Sequence, residues 1–260
     1  MLDSESYIDA YISDKIDGFT RDAILVIPGG GYGCVCSDRE GEPIAQAFIP
    51  YGYNAFVLHY SVGEGKHFPL QLIQASLAMK NIRDNADEYN INPDRVFAVG
   101  FSAGGHLAAS LGILWDNEEV NKKINMPFGY NKPTGIMPIY PVITADKSFW
   151  HEGSFENLLG KENLTEENRL SVSLEKHVSE KSSPAYIVHT SNDQVVNVKN
   201  SLALAQAYAD AGLMFEMHIY PDAPHGSALG NEITAGDVEK FNNPCIAKWV
   251  ENAAAWAKQI

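Results

Sequence analysis

Cysteine is scarce in this sequence: only Cys34, Cys36 and Cys245 occur in 260 residues. A small and odd number cannot form the disulfide framework of a small secreted protein, and it fits reduced thiols in the cytoplasm. Cys34 and Cys36 stand one residue apart, without the spacing or the further ligands of a zinc site. The sequence therefore predicts neither a disulfide-stabilised fold nor a metal site.

Positive charge is sparse as well, since 19 Lys and Arg residues stand against 33 Asp and Glu residues, for a net charge of −14. Nucleic acids and anionic membranes are bound through clusters of Lys and Arg, and the sequence has no such cluster. The excess of acid excludes these two partner classes and says nothing about a substrate.

Long hydrophobic runs are missing too. No apolar run approaches the roughly 20 residues of a membrane span. The first 18 residues are acidic and lack the basic and then apolar order of a signal peptide. We therefore expect a cytoplasmic location and no membrane partner.

What the sequence does contain is a regular alternation of strand and helix signals. Short apolar runs typical of buried parallel strands occur at 23–29, 54–60, 95–100, 135–140, 185–190 and 215–220. A weaker alternation at 7–12 predicts an edge strand. Between the runs lie helical stripes, the longest with apolar residues in steps of three and four over 72–89. This pattern predicts an α/β fold with a mostly parallel central sheet and helices on both faces.

One domain accounts for this length, because α/β chains of 260 residues often have a single core. We expect residues 1–260 to form one α/β domain with a polar, lid-like insert at about 143–183. Such an insert is usually a lid or binding segment, or else a surface excursion. The final helix is expected to open with Asn243 as its cap and Pro244 in its first turn.

Three glycines surround one serine in the stretch 98–110, AVGFSAGGHLAAS. Gly100 and Gly104 flank Ser102 in a G-x-S-x-G pattern between a predicted strand and a predicted helix, which is the context of a nucleophile elbow. In that turn the neighbouring chains pass so closely that only glycine fits two residues before and after the serine. A phosphate-binding loop is the alternative, but His106 stands where that loop requires lysine. We interpret Ser102 as a nucleophile.

A second glycine cluster, IPGGGYG at 27–33, follows the first predicted core strand. In serine hydrolases of this layout, backbone N–H groups of such a loop supply part of the oxyanion hole. Gly30 and Gly31 are the candidates here, with the N–H group of Ala103 as the other donor. A dinucleotide-binding loop is excluded because no G-x-G-x-x-G pattern can be completed at this point.

A serine nucleophile needs a base and an orienting carboxylate. His225 lies in a Pro-rich loop after the last predicted strand, and Asp193 follows the preceding strand by three residues. The order Ser102, Asp193, His225 is that of α/β hydrolases. Asp222, three residues before His225, is the alternative acid. Asp193 is favoured, because a triad carboxylate must come from a neighbouring strand's loop to reach the far imidazole nitrogen.

Three of the remaining histidines are expected to be structural. His189 and His218 lie inside apolar strands and should pack in the core. His106 lies one turn into a helix and should make a structural hydrogen bond. The other four histidines have no partner pattern.

The segments PGGGY, NPDRVFAVGFSAGGHLAAS, HTSNDQVV and YPDAPHGSAL resemble the α/β-hydrolase esterases related to acetylxylan esterases, the BD-FAE group. These motifs occur in order over about residues 20–255. The resemblance implies the α/β-hydrolase fold, with Ser102 as nucleophile, Asp193 as acid and His225 as base, beside an oxyanion hole in the glycine loop. Related enzymes of the hormone-sensitive-lipase type carry His-Gly-Gly-Gly, whereas this sequence has Pro28 in place of the histidine.

The same resemblance implies hydrolysis of short-chain esters, chiefly acetyl esters of xylo-oligosaccharides or similar sugars, without a cofactor. Tyr32 and Trp150 are the predicted substrate contacts, although aromatic residues at the start of the insert would equally suit its anchoring to the core. The alternatives are a prolyl-oligopeptidase-like peptidase and an inactive hydrolase fold that serves as a binding module. Such peptidases normally carry a large N-terminal propeller, for which the 22 residues before the first core strand leave no room. The oligomeric state is left open, a homo-oligomer included.

Overall fold

The predicted apolar runs form one seven-stranded sheet in the computed structural model, which describes residues 4–260. The strands are β1 (Tyr7–Tyr11), β2 (Arg21–Ile27), β3 (Tyr53–His59), β4 (Ile91–Phe101), β5 (Ile136–Ile139), β6 (Ala185–Thr190) and β7 (Phe215–Tyr220). Their order across the sheet is β1-β3-β2-β4-β5-β6-β7. Only the pair of β1 and β3 is antiparallel within the described residues, so the weakly alternating segment is the edge strand that its pattern predicts.

Helices connect the strands. In the described residues they are α1 (Ser37–Glu40), α2 (Glu42–Phe48), α3 (Leu70–Asp84), α4 (Ala86–Tyr89), α5 (Ala103–Ile113), α6 (Glu118–Lys123), α7 (Glu152–Leu159), α8 (Glu166–Ser171), α9 (Lys199–Asp210), α10 (Glu232–Ala235) and α11 (Trp249–Ala257). Throughout residues 4–260, no helix has the length and apolar character that crossing a membrane requires.

The sheet separates two apolar cores. Side chains alternate between the faces of a strand, so Leu25 of β2 belongs to one core and Val26 to the other. The first core includes buried residues of α3, α5 and α9, and the second includes those of α2 and α11. Helices therefore cover both faces of a mostly parallel sheet, as the alternation of strand and helix predicts.

The final helix begins later than its sequence suggests. A 3-10 turn occupies Ile246–Lys248, and α11 starts only at Trp249. The side chain of Asn243 accepts a hydrogen bond from the N–H group of Cys245. Asn243 therefore stabilises a turn that precedes the helix, and the prediction that it caps α11 is wrong.

The polar insert lies between β5 and β6 and contains α7 and α8 with two further 3-10 turns. Its apolar residues Phe155, Leu158 and Leu174 are buried in the first core. The insert is thus fixed to the body of the protein by a few apolar side chains, and most of its charged residues are exposed.

Candidate active site

Ser102 stands at the sharp turn between β4 and α5. Its backbone has φ 52° and ψ −117°, a conformation that non-glycine residues rarely adopt. A Cβ atom on Gly100 would lie 2.1 Å from the carbonyl oxygen of Gly104, and one on Gly104 would lie 2.2 Å from that of Ile27. Both glycines are therefore required by the close approach of neighbouring backbone, which is what the G-x-S-x-G pattern predicts.

The loops after β6 and β7 bring two side chains to this serine. Ser102 Oγ lies 2.8 Å from Nε2 of His225, and Nδ1 of His225 lies 2.7 Å from Oδ2 of Asp193. With the proton on Nδ1, the imidazole donates to the carboxylate and accepts from the hydroxyl. The serine is 8% exposed and the Asp193 side chain is fully buried. The three side chains thus form one continuous hydrogen-bonded chain.

The Asp193 carboxylate is held in its charged form. Burial alone would raise its pKa, but hydrogen bonds from His189 and His225, together with the N–H group of Val195, outweigh burial and hold the pKa well below its usual range. Asp222 lies away from the imidazole: its exposed side chain accepts a hydrogen bond from Asn192. The structure therefore brings Asp193, and not Asp222, to the imidazole.

The glycine loop after β2 runs directly beside Ser102. A Cβ atom on Gly29 would lie 3.1 Å from the Cβ atom of Ser102, and Gly30 and Gly31 have φ values of 124° and 62°. Within the described residues, the N–H groups of Gly30, Gly31 and Ala103 donate to no protein acceptor. Free N–H groups at a helix N-terminus and in an adjacent loop are suited to bind an anionic oxygen.

The insert packs against this loop. Asn157 Nδ2 donates a 2.9 Å hydrogen bond to the carbonyl oxygen of Gly31, and the buried Ser154 Oγ lies next to the same glycine. His151 accepts a 2.8 Å hydrogen bond from Ser154 at Nδ1. Burial and then the charge of His225 lower the pKa of His151. The insert therefore supplies a neutral imidazole at the edge of the site, which the sequence did not indicate.

The two predicted substrate contacts, Tyr32 and Trp150, both pack against other side chains of the protein. Tyr32 is 1% exposed, and its hydroxyl donates to Nδ1 of His106 over 2.8 Å. The ring faces the interior, which argues against contact with a sugar. Trp150 is half-buried, with its ring parallel to that of Phe155 and the Arg169 guanidinium 5.7 Å from its centre. These neighbours favour a role in anchoring the insert.

Three histidines expected to be structural can be compared with that expectation. His106 is buried and its Nε2 donates to the carbonyl oxygen of Val172 over 2.8 Å, as predicted. His218 is only partly buried and lies 2.7 Å from Glu216, so its assignment to the core is wrong. His189 is fully buried, as predicted, and it also hydrogen-bonds to the candidate acid Asp193.

His189 contacts the candidate acid. Its Nε2 lies 3.2 Å from Oδ2 of Asp193 and 3.0 Å from the carbonyl oxygen of Val196, while Nδ1 accepts from the Ser201 hydroxyl over 2.7 Å. This arrangement fixes the tautomer with its proton on Nε2. The only signal in the sequence was the four-residue separation of His189 and Asp193.

A family model, BD-FAE, matches residues 8–208. The chain belongs to the BD-FAE family. This assignment confirms the resemblance seen in the four sequence motifs.

Within the described residues, no three His, Cys, Asp or Glu side chains converge as metal ligands.

Relatives of this BD-FAE chain include two proteins whose names refer to xylan. It is 38% identical over 219 residues to endo-1,4-beta-xylanase B of Butyrivibrio fibrisolvens, a match that covers 83% of this chain and 34% of that protein. It is 30% identical over 212 residues to the acetylxylan esterase of Xylanibacter ruminicola, covering 80% and 41% respectively. The chain thus spans between about a third and two fifths of the length of these relatives.

A solved structure is similar over nearly the whole chain. The acetyl ester-xyloside bifunctional hydrolase from Caldicellulosiruptor lactoaceticus superimposes with a TM-score of 0.83 at 34% identity. The match covers 98% of this chain and 88% of that one. The α/β-hydrolase fold predicted from the sequence is thereby confirmed, and this BD-FAE chain belongs to that superfamily.

Proposed function

We propose that the protein is a serine esterase that cleaves short-chain carboxylic esters, acetyl esters above all, through an acyl-serine intermediate. The observation that carries this proposal is the continuous hydrogen-bonded chain from Ser102 through His225 to Asp193, at a strained turn beside free backbone N–H groups. A nucleophile, a base and an orienting acid in that geometry are the requirements of acyl transfer.

In the first half of the reaction, Ser102 Oγ attacks the ester carbonyl carbon while His225 Nε2 accepts the hydroxyl proton. The carbonyl oxygen becomes an oxyanion, which the N–H groups of Gly30, Gly31 and Ala103 stabilise. The bond to the alcohol oxygen then breaks, and His225 gives its proton to that oxygen. In the second half, water attacks the acyl-serine while His225 Nε2 accepts a proton from it. The bond between the acyl carbon and Ser102 Oγ then breaks, His225 returns the proton to that oxygen, and the carboxylic acid leaves.

The substrate we propose is an acetylated xylo-oligosaccharide or a similar sugar ester. Two of the similar proteins are named for activity on acetylxylan or on acetyl ester and xyloside substrates. The insert beside the oxyanion loop is largely polar, whereas a long-chain lipase must provide an apolar acyl tunnel, since each buried CH₂ contributes about 0.8 kcal/mol. A small acyl group on a polar alcohol fits these surroundings.

The first experiment measures hydrolysis of p-nitrophenyl acetate by the wild type and by Ser102→Ala. The variant should keep no more than the about 10³–10⁴-fold advantage over water that binding and an oxyanion hole give alone. Ser171→Ala, an exposed serine of α8, is the matched control and should keep the wild-type rate. If Ser102→Ala retained more than a few per cent of the wild-type kcat, the nucleophile would be another residue.

The second experiment addresses the substrate. We expect kcat/KM to fall from acetyl to butyryl to octanoyl p-nitrophenyl esters, and acetate to be released from acetylated xylo-oligosaccharides. Equal efficiency on the octanoyl ester would contradict the short-chain proposal, and absence of acetate release would remove only the sugar. Cleavage of prolyl p-nitroanilides would favour a peptidase, and inertness toward all these compounds would favour a binding module.

A further inference from the structure

Glu40 is a buried acidic residue that the proposed reaction does not use. Among the described residues, Glu40 and Asp193 are the only buried acidic residues, with 4% and 8% of the residue surface exposed. A buried carboxylate is costly unless hydrogen bonds compensate for the loss of water. Each of these carboxylates bonds to a residue that lies next to Ser102: Asp193 to His225, and Glu40 to Gly29.

One oxygen of Glu40 holds the glycine loop. Oε2 accepts a 2.8 Å hydrogen bond from the N–H group of Gly29, the residue immediately before Gly30. The backbone of Gly29 passes so close to the serine that an added Cβ atom would lie 3.1 Å from Ser102 Cβ. The position of Gly29 therefore sets where the following N–H groups stand relative to the reacting atoms.

The other oxygen of Glu40 holds the side of the site that carries the base. Oε1 accepts a 2.8 Å hydrogen bond from the hydroxyl of Tyr140, which in turn accepts from the N–H group of Ala228 over 3.0 Å. The Tyr140 ring packs edge-on against His225, with 4.9 Å between ring centres. Tyr140 thus links Glu40 to the loop that carries the histidine.

We infer that Glu40 is a positioning residue that couples the oxyanion loop to the His225 loop, an inference that rests on the proposed esterase function. Its two oxygens hold the glycine loop and, through Tyr140, the His225 loop in fixed positions relative to each other. The residue touches no reacting atom, so its contribution comes through the placement of backbone N–H groups and of the imidazole. Small displacements of such groups are costly in rate, because the transition state forms its strongest contacts there.

The charge of Glu40 supports the same role as its hydrogen bonds. Burial raises the pKa of Glu40, while hydrogen bonds from Gly29 and Tyr140 and the attraction of His225 oppose that rise. Both oxygens accept hydrogen bonds, which is the pattern of an ionised carboxylate. A negative charge near His225 favours the imidazolium that forms in the transition state.

The test compares Glu40→Gln, Glu40→Ala and Tyr140→Phe in the full chain with p-nitrophenyl acetate as substrate. We expect kcat to fall about 10-fold in Glu40→Gln and about 10²-fold in Glu40→Ala, which is at or below the cost of losing an oxyanion donor. Tyr140→Phe should fall by about 3- to 10-fold. KM should stay within twofold, because ground-state binding is not altered.

A tetrahedral inhibitor separates positioning from general structural support. Phenylboronic acid forms an anionic adduct with a reactive serine, and its inhibition constant should rise in parallel with the loss of kcat/KM. Glu42→Gln, an exposed carboxylate two residues away, should leave both values unchanged. Ile44→Val, a buried change in the adjacent α2, should lower Tm while kcat stays the same.

The two possible failures are distinguishable. If the wild type shows no Ser102-dependent ester hydrolysis, the proposed function fails and this inference fails with it. If the wild type is active and the Glu40 variants keep kcat and boronic acid inhibition within twofold, only the role of Glu40 is overturned. Should Glu40→Ala not fold, the isosteric Glu40→Gln and the hydroxyl deletion in Tyr140→Phe decide the question by the same criterion.

Discussion

The two sides of Ser102 are built in different ways. On one side, His225 and Asp193 reach the serine through side-chain hydrogen bonds of 2.8 and 2.7 Å. On the other side, the groups that face the serine are backbone N–H groups of a glycine loop. That loop is held by side chains from three other parts of the chain: Tyr60 at Pro28, Glu40 at Gly29 and Asn157 at Gly31.

This difference separates chemistry carried by side chains from chemistry carried by backbone. Changing a side chain on the first side removes a group that reacts or that touches a reacting group. Changing a distant side chain on the second side leaves every proposed donor in place and alters only where it stands. Variants of the two sides should therefore differ in size of effect, with side-chain deletions larger than displacements of the loop.

The largest effect is expected for Asp193→Asn. The amide cannot hold the imidazole in the tautomer that accepts the serine proton, so kcat should fall by about 10⁴. Asp222→Asn is the matched control, since Asp222 is an exposed aspartate that does not contact His225. Steady-state kinetics with p-nitrophenyl acetate distinguish the two, and a larger loss in Asp222→Asn would reverse the assignment of the acid.

The second-largest effect is expected for Gly30→Ala, which tests the backbone N–H groups of the glycine loop. A Cβ atom there would lie 2.2 Å from the carbonyl oxygen of Cys34, and φ is 124°, so the loop must shift. We expect kcat to fall by about 10²–10³, the range for loss of an oxyanion donor.

The control for this variant is Gly18→Ala. Gly18 also has a positive φ, of 77°, but nothing lies within 4 Å of its added Cβ atom. It should lose stability without losing kcat. Equal kcat losses in both variants, or none in Gly30→Ala, would contradict an oxyanion role for the loop.

Local patterns in the sequence account for what could be predicted. The sheet follows from apolar runs, and the elbow follows from Gly100 and Gly104, because their spacing reflects contacts within one turn. The order of Ser102, Asp193 and His225 follows from the layout of parallel strands, whose carboxyl ends meet at one edge.

The features that could not be predicted from the sequence depend on contacts between residues far apart in the chain. Glu40 and Tyr140 are 100 residues apart, and Asn157 and Gly31 are 126 apart, so no local pattern relates them. Tyr32 is one of the two predicted substrate contacts, but its φ of 58° and its bond to His106 belong to an inward-facing side chain. The direction of such a side chain depends on tertiary packing.

A third and smaller effect is expected for His189→Ala. His189 donates to the candidate acid from behind, whereas Asp193 also accepts from the N–H groups of Val195 and Val196. The carboxylate therefore keeps other donors, and we expect kcat to fall only about 10-fold with KM unchanged.

Two comparisons sharpen this prediction. His189→Gln retains a donor that can reach Asp193 and should recover part of the rate. His177→Gln, at a half-buried histidine of the insert, should not alter it. If Glu40→Ala and His189→Ala had equal effects, positioning would be equally important on both sides of the serine. A loss near 10⁴ in His189→Ala would mean that His189 is as essential as Asp193 itself.

The smallest effect is expected in the stability of the protein toward acid. It arises because the pKa of Asp193 lies well below its usual range in the folded state. A depressed folded-state pKa stabilises the protein above the unfolded value of about 3.9, and that contribution is lost as pH falls through the folded-state pKa. Thermal unfolding of wild type and Asp193→Asn between pH 5 and 2.5 should therefore give a smaller drop in Tm for the variant, by several degrees, since each kcal/mol is worth about 2–4 °C in a chain of this size. Asp222→Asn should follow the wild type. Parallel curves for wild type and Asp193→Asn would mean that the buried carboxylate gains nothing from its donors, and that the side of the site with His225 and Asp193 is no better held than the glycine loop.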